Sequence, residues 1–250
     1  MNIVIFEAKP RDKRFFTKHC KEDRVTYVDE PLTEENAQKY KNAEVVSTFI
    51  FSNVSKKVLS KMPKLRLITT RSTGYDHIAL GEAKKKKITV CNVPRYGSNT
   101  VAEHTFALIL NLSRNVHKSY LRSLNDNYEI EDLTGFDLKG KTLGVIGAGK
   151  IGQHVIKIAK GFGMHVVAYD EHKDGFLADL LHFTYAENAE EVLKKADIIT
   201  LHVPALPSTH HLINKERLKL VKKGALLINT SRGELVDTEA LYSALKSGRL

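Results

Sequence analysis

Cysteine is scarce in this chain. There are two in 250 residues, Cys20 and Cys91, with neither the spacing of a zinc site nor the pairing of a disulfide framework. No metal is therefore expected. Long apolar runs are also missing. The longest are strand-like, such as Ala225-Leu226-Leu227-Ile228, far short of the ~20 residues that cross a bilayer. The first residues, Asn2-Ile3-Val4-Ile5-Phe6, already read as a strand, so no signal peptide is expected and the cytoplasm is the expected location. There is no low-complexity linker, and no internal repeat beyond an alternation of strand and helix. Acidic residues are the minority charge, 29 against 39 Lys and Arg, for a formal net charge of +10.

What remains is ordinary globular material, with 42% hydrophobic and 27% charged residues, enough to bury the core of one or two domains. The basic excess has two readings. Lys84-Lys85-Lys86-Lys87 can focus a nucleic-acid surface, or it can end a helix, where cations suit the dipole, ahead of the strand Ile88-Thr89-Val90. No basic–aromatic interleaving accompanies the run, and the helix-end reading is preferred. A basic surface also draws in anionic substrates.

The most informative stretch is Lys141-Thr142-Leu143-Gly144-Val145-Ile146-Gly147-Ala148-Gly149-Lys150-Ile151-Gly152. An apolar strand runs into a glycine-rich turn, and a helix pattern follows. In a dinucleotide site Gly147 permits the tight turn, Gly149 leaves the pyrophosphate unobstructed, and Gly152 lets the helix pack on the strand. The N–H groups at the helix start, from Lys150 and Ile151 onward, receive phosphate charge. The next apolar run, Met164–Tyr169, is closed by Asp170, near the ~20-residue distance at which a carboxylate meets the ribose hydroxyls. No arginine follows it, only Glu171, His172 and Lys173, so NAD is favoured over NADP.

Strand and helix patterns alternate throughout, which predicts parallel sheets covered on both faces. Strands are expected near 3–7, 25–27, 45–48, 67–70 and 89–92. Helices are expected at Glu34–Lys41 and Ser55–Lys61, and a single long one from Asn99 to about Ser123. A second series of strands is expected near 143–146, 165–169, 197–201 and 225–229, followed by a helix from about Thr238 that stops at Ser247-Gly248. The fold class is α/β: two Rossmann- or flavodoxin-like doubly wound parallel-sheet domains, at 1–96 and 97–250.

Five separated segments share one resemblance. They are Arg71-Ser72-Thr73-Gly74-Tyr75-Asp76-His77-Ile78, the run Asn92–His104, the Gly147 turn, Leu201-His202-Val203-Pro204 with Thr209, and Ile228-Asn229-Thr230-Ser231-Arg232-Gly233. Their order and spacing resemble the D-isomer-specific 2-hydroxyacid dehydrogenases. Phe6-Glu7-Ala8-Lys9-Pro10 and Thr209–Asn214 look closest to the D-lactate dehydrogenase branch. The resemblance implies an NAD-dependent oxidoreductase that interconverts a 2-oxoacid and a D-2-hydroxyacid, with pyruvate and D-lactate the first choice. Domain 1–96 would be the substrate domain and 97–250 the NAD domain, with substrate in the cleft between them. The helix at 99–123 and the arm after it resemble the family's dimer contact, so a homodimer is expected.

Arg232 directly follows a strand, and its planar fork suits a substrate carboxylate and can polarise the adjacent carbonyl; it is the expected catalytic residue. The turn at Thr73 and Gly74 either cups the same carboxylate with backbone N–H groups or is an ordinary loop. Tyr96 either reaches the ligand or packs in the core or at a hinge. Val203, Pro204, Thr209, Thr230 and Ser231 match cofactor-lining positions, although a threonine like Thr209 is usually a turn former. Phe49 and Phe51 lie in the loop that faces the substrate side chain in similar proteins, which points to a small or apolar substituent. The resemblance also implies a histidine proton donor with a glutamate beside it, both downstream of the Arg232 motif, and the chain stops at Leu250 before either. A C-terminally truncated NAD domain is thus expected. His202 comes nearest to a substitute acid, and His104, beside Glu103, is expected to be packed and hydrogen-bonded. The alternative is a non-catalytic NAD-binding sensor, interaction module or remnant.

Overall fold

The computed structural model describes residues 1–250, which form two compact units, Met1–Tyr96 and Gly97–Leu250. The first unit contains β1 (Asn2–Ile5), α1 (Pro10–His19), β2 (Arg24–Tyr27), β3 (Val45–Thr48), α2 (Lys56–Lys61), β4 (Leu67–Thr70), α3 (Leu80–Lys85) and β5 (Thr89–Cys91). All pairings are parallel, in the order β2-β1-β3-β4-β5. This is the flavodoxin-like 2-1-3-4-5 arrangement. The central strand β3 is buried along its whole length, so it reads as a continuous run rather than an alternating one. Beneath the sheet Phe6, Val46, Val54, Leu59 and Ile68 form one cluster. Each such side chain contributes about 2 kcal/mol of burial.

One expectation in this unit changes. The helix expected at 34–41 is only a 3₁₀ turn, Ala37–Tyr40. Asn36 is the cause: its Oδ1 accepts the Thr33 N–H and its Nδ2 donates to the Pro31 carbonyl, bonds that compete with a helical start. The lysine run does close α3: Lys84 and Lys85 lie in its last turn.

The second unit contains α4 (Ser98–Ser113), α5 (Val116–Leu124), β6 (Thr142–Ile146), α6 (Lys150–Gly161), β7 (His165–Tyr169), α7 (Gly175–Leu181), β8 (Thr184–Tyr185), α8 (Ala189–Lys195), β9 (Ile198–Leu201), α9 (Lys215–Leu218), β10 (Leu226–Asn229) and α10 (Thr238–Lys246). Its sheet runs β10-β9-β6-β7-β8, again all parallel. Counted within the unit, this is 5-4-1-2-3, the first five positions of the 3-2-1-4-5-6 dinucleotide order. The short β8 was not expected from the sequence. On α6, Val155, Ile156 and Ala159 recur at helical spacing and are buried together with Phe106 and Ile109 of α4.

The long helix expected at 99–123 is two helices. Asn115 takes a left-handed φ of 52°, and its side chain donates to the Leu133 and Thr134 carbonyls. The Ser113 carbonyl accepts the Phe136 N–H. The returning arm thus satisfies the end of α4, and α5 starts afresh.

Candidate functional site

At the carboxyl end of β6 the chain turns through Gly147, Ala148 and Gly149 into α6. Gly147 has a φ of +100°, and a Cβ there would sit 2.6 Å from the His202 carbonyl oxygen and 2.9 Å from Val203 Cγ1. Both the backbone angle and the space exclude a side chain. A Cβ on Gly152 would fall 2.0 Å from the Gly147 oxygen, so the helix seats directly on the turn. Around Gly149, by contrast, a Cβ would meet nothing within 4 Å. Gly149 is the N-cap residue, and α6 opens with no side-chain cap at Lys150 and Ile151. Its first N–H groups are left for an anion.

Asp170 follows β7 and is bonded to this turn: Oδ2 accepts the Ala148 N–H at 2.8 Å and Oδ1 accepts the His172 N–H at 2.9 Å. A carboxylate has about four acceptor positions, so it keeps capacity for ribose hydroxyls. The only cation in the following segment, Lys173, pairs with Glu187 at 3.1 Å. A close-approach turn, an uncapped helix start and a fixed acid fit a dinucleotide without a 2′-phosphate.

The neighbouring strands end at the same edge. His202 extends β9, donating its N–H to the Ile146 carbonyl at 2.7 Å. The residue is half-buried, with Nε2 2.9 Å from Thr200 Oγ1 and with Nδ1 buried and unpartnered. Desolvation pushes the imidazole down to about 4, which disfavours the protonated form that a substitute acid would use. His104 is exposed, not packed as expected, because it lies on the outer side of α4.

Val203 is half-buried against the glycine turn, and Pro204 is exposed. The Thr209 hydroxyl donates to the Pro204 carbonyl at 2.6 Å and accepts the Leu206 N–H at 2.8 Å. It therefore shapes the loop that carries Pro204. After β10, the Thr230 hydroxyl lies 3.1 Å from that of Thr105 on α4, and Ser231 Oγ donates to the Leu201 carbonyl at 2.8 Å. Asn229 closes the turn, accepting the Ser231 N–H and donating to the Arg232 carbonyl. This holds Arg232 exposed at the strand end, with Nη1 donating to the Ser231 carbonyl at 3.0 Å.

In the first unit the loop after β4 is equally fixed. Ser72 Oγ donates to the Gly74 carbonyl at 2.6 Å, Thr73 Oγ1 donates to the Val93 carbonyl, and Asn92 Nδ2 donates to the Thr73 carbonyl. The Thr73 and Gly74 N–H groups take no part in the bonds that fix this loop. Tyr96 is 61% exposed, which removes a packing role for it within its own unit. Sequence reasoning gave no role to two buried groups, Thr105, which meets Thr230, and Glu7. Neither belongs to a motif with a known spacing, although Glu7 lies in the quoted run Phe6–Pro10.

Residues 106–250 match the model of the D-isomer specific 2-hydroxyacid dehydrogenase NAD binding domain. A 2-hydroxyacid dehydrogenase homolog of Haemophilus influenzae is 38% identical over 254 residues, spanning all of this chain and 76% of its own length. The D-lactate dehydrogenase of Escherichia coli is 33% identical over 254 residues, with 100% of this chain and 77% of the relative covered. Among solved structures, D-lactate dehydrogenase from Aquifex aeolicus, complexed with NAD and lactic acid, superposes with a TM-score of 0.93 at 39% identity, covering 100% of this chain and 74% of that one.

Proposed function

The chain belongs to the D-isomer-specific 2-hydroxyacid dehydrogenases, NAD-dependent oxidoreductases, and from that premise we propose that it interconverts pyruvate and D-lactate. Met1–Tyr96 would be the substrate domain and Gly97–Leu250 the NAD domain. One observation carries the reading. The ends of β6, β9 and β10 are tied side by side by the His202 N–H to Ile146 bond and the Ser231 Oγ to Leu201 bond. The glycine turn and Arg232 thus share one sheet edge, where ligands of such sheets bind.

When bound, NADH supplies the hydride, and one proton completes reduction of the 2-oxo group. The protein's part is binding and polarisation. Gly147, Gly149, Lys150, Ile151 and Gly152 receive the pyrophosphate, and Asp170 the ribose hydroxyls. Val203, Pro204, Thr209, Thr230 and Ser231 line the cofactor. Arg232 takes the substrate carboxylate and draws charge from the adjacent carbonyl. Thr73, Gly74 and Tyr96 keep the substrate-binding roles that the family resemblance implies for them.

A homodimer and a cytoplasmic location belong to the same proposal. The exposed apolar side chains of α5, Val116, Tyr120, Leu121 and Leu124, continue into Tyr128 and Ile130, a patch suited to a second copy. Both cysteines are free, which suits a reducing compartment. No helix is long and apolar enough to cross a membrane.

The test is titration of the full chain with NADH and NADPH, followed by addition of pyruvate with chiral analysis of the product. NADH should bind well ahead of NADPH, and D-lactate should form. Failure to bind NADH overturns the reading. Intact NADH binding without reduction of any 2-oxoacid favours a binding module instead.

A further inference from the structure

Glu7 is a buried acid that the proposed chemistry does not use, and its surroundings are unusual. It follows β1 with a φ of 52°, a left-handed angle that a side chain bearing a Cβ adopts at a cost. Its side chain is 6% exposed and accepts four hydrogen bonds from one short loop. Oε1 accepts the Phe51 N–H at 2.9 Å. Oε2 accepts the Phe49 N–H at 3.0 Å, the Ser52 N–H at 3.1 Å and the Ser52 hydroxyl at 2.5 Å. Three backbone donors of the loop after β3 thus converge on a single carboxylate.

Arg71 fixes the same corner from the other side. Its Nη2 donates to the Phe6 and Glu7 carbonyls at 2.8 and 3.1 Å, and its Nη1 donates to Ser47 Oγ at 3.0 Å. The guanidinium carbon lies 5.8 Å from the centre of the Phe49 ring, within cation–π range. The strained peptide at Glu7 is therefore held by Arg71, and the loop by Glu7 and Arg71 together.

The loop so held is not core. Ile50 is 48% exposed and Phe51 76% exposed. Packing alone does not account for a buried charge that orders a surface loop carrying bare apolar side chains. Such a charge is costly to bury, and the loop it orders offers apolar surface to water. A recognition surface accounts for both. We propose that Glu7, backed by Arg71, is a positioning residue for substrate selectivity: it sets the place of the Phe49–Ser52 loop, whose apolar side chains meet the substituent of the 2-oxoacid. This rests on the proposed 2-oxoacid activity, whose resemblance places that loop at the substrate side chain.

The experiment compares the full chain with its Glu7→Gln, Glu7→Gly and Phe51→Ala variants. Two quantities are read: hydrogen exchange at the amides of Phe49, Phe51 and Ser52, and dissociation constants for pyruvate and 4-methyl-2-oxopentanoate in the presence of oxidised NAD, which leaves both oxoacids unreduced. Glu7→Gln keeps one acceptor oxygen and should loosen the loop modestly. Glu7→Gly suits the left-handed backbone but removes the carboxylate, so it separates the clamp from any folding defect. In Glu7→Gly the loop amides should lose protection, and discrimination between the two oxoacids should shrink about tenfold, with Glu7→Gln intermediate. NADH binding should stay unchanged. Phe51→Ala should shrink the same discrimination without exposing the amides. A uniform loss of affinity for both oxoacids, or unchanged selectivity in Glu7→Gly or Phe51→Ala, overturns the positioning role. If the unaltered chain binds NADH but neither oxoacid, the 2-oxoacid reading itself has failed.

Discussion

The first strand of each unit is followed within two residues by a left-handed residue, and the two junctions have opposite contents. After β6 it is Gly147, at φ +100°, where even a Cβ would strike the His202 carbonyl. After β1 it is Glu7, at φ 52°, whose side chain folds inward to accept the Phe49 N–H. His202 and Phe49 are counterparts: each follows the strand that pairs beside the first, β9 in one unit and β3 in the other. The helix starts differ in the same sense. Pro10 occupies the first position of α1, and Asp12 Oδ2 accepts the Lys9 N–H at 2.9 Å, whereas α6 starts on Gly149 with no cap. One topology therefore yields an anion cradle where the turn is empty and the helix open. It yields a braced loop where an acid fills the turn and the helix is closed.

The largest effect should come from filling the empty junction. Gly147→Ala combines a disfavoured backbone angle with a 2.6 Å approach to a carbonyl oxygen, so stability should fall by about 3 kcal/mol. NADH affinity should drop by tenfold or more, since each ~1.4 kcal/mol lost at the cradle is a factor of ten. Denaturant unfolding and NADH titration check both. An alanine variant that unfolds and binds as the parent does would erase the distinction between the junctions.

His202 gives the next effect, through pH. Burial holds its folded value at about 4 against 6.5 when unfolded. Between these values the unfolded chain binds a proton that the folded chain refuses. This contribution to stability is intact above pH 6.5 and is lost progressively as pH falls toward 4. The difference corresponds to about 3 kcal/mol. His202→Gln, which keeps a polar end for Thr200, should flatten the stability profile between pH 6.5 and 4 relative to the parent. Equal slopes would mean that the nucleotide edge is more hydrated than its geometry implies.

The contrast between the junctions was half legible in the sequence. Gly147, Gly149, Gly152 and Asp170 announce themselves because a phosphate-binding turn demands residue types at fixed intervals. The strand positions were legible because buried parallel strands are continuous apolar runs. Glu7 was not, because its partners are backbone N–H groups forty-odd residues away, and a backbone donor leaves no mark on residue identity. The break at Asn115 was hidden for a related reason: the apolar period runs on through α4 and α5, while the bonds that end α4 come from residues 133–136. Likewise Thr105 reads as one more small residue on an apolar helix until β10 brings Thr230 to it.

A smaller effect is expected at Asp170, which joins the second strand to the cradle. Asp170→Ala removes the acceptor for the Ala148 N–H and the carboxylate that would repel a 2′-phosphate. Its NADH affinity should fall roughly tenfold, in line with the loss of a charged hydrogen-bond partner, and its preference for NADH over NADPH should narrow by at least as much. Parallel fluorescence titrations with the two cofactors measure this. A preserved ratio would assign Asp170 to turn geometry alone.

The smallest effect tests the closed helix of the first unit. Asp12→Ala frees the Lys9 N–H and removes a negative charge from the first turn of α1, which should cost about 1 kcal/mol. No such cost exists to be removed at α6, where the corresponding donors are already open. Thermal unfolding should therefore shift slightly downward in Asp12→Ala, with no change in NADH affinity, because α1 belongs to the braced junction and not to the cradle. If instead the variant gained affinity for inorganic pyrophosphate that NADH could not displace, an open helix start alone would be enough to make an anion site, and the acid at Glu7 would not be what keeps the first unit from being one.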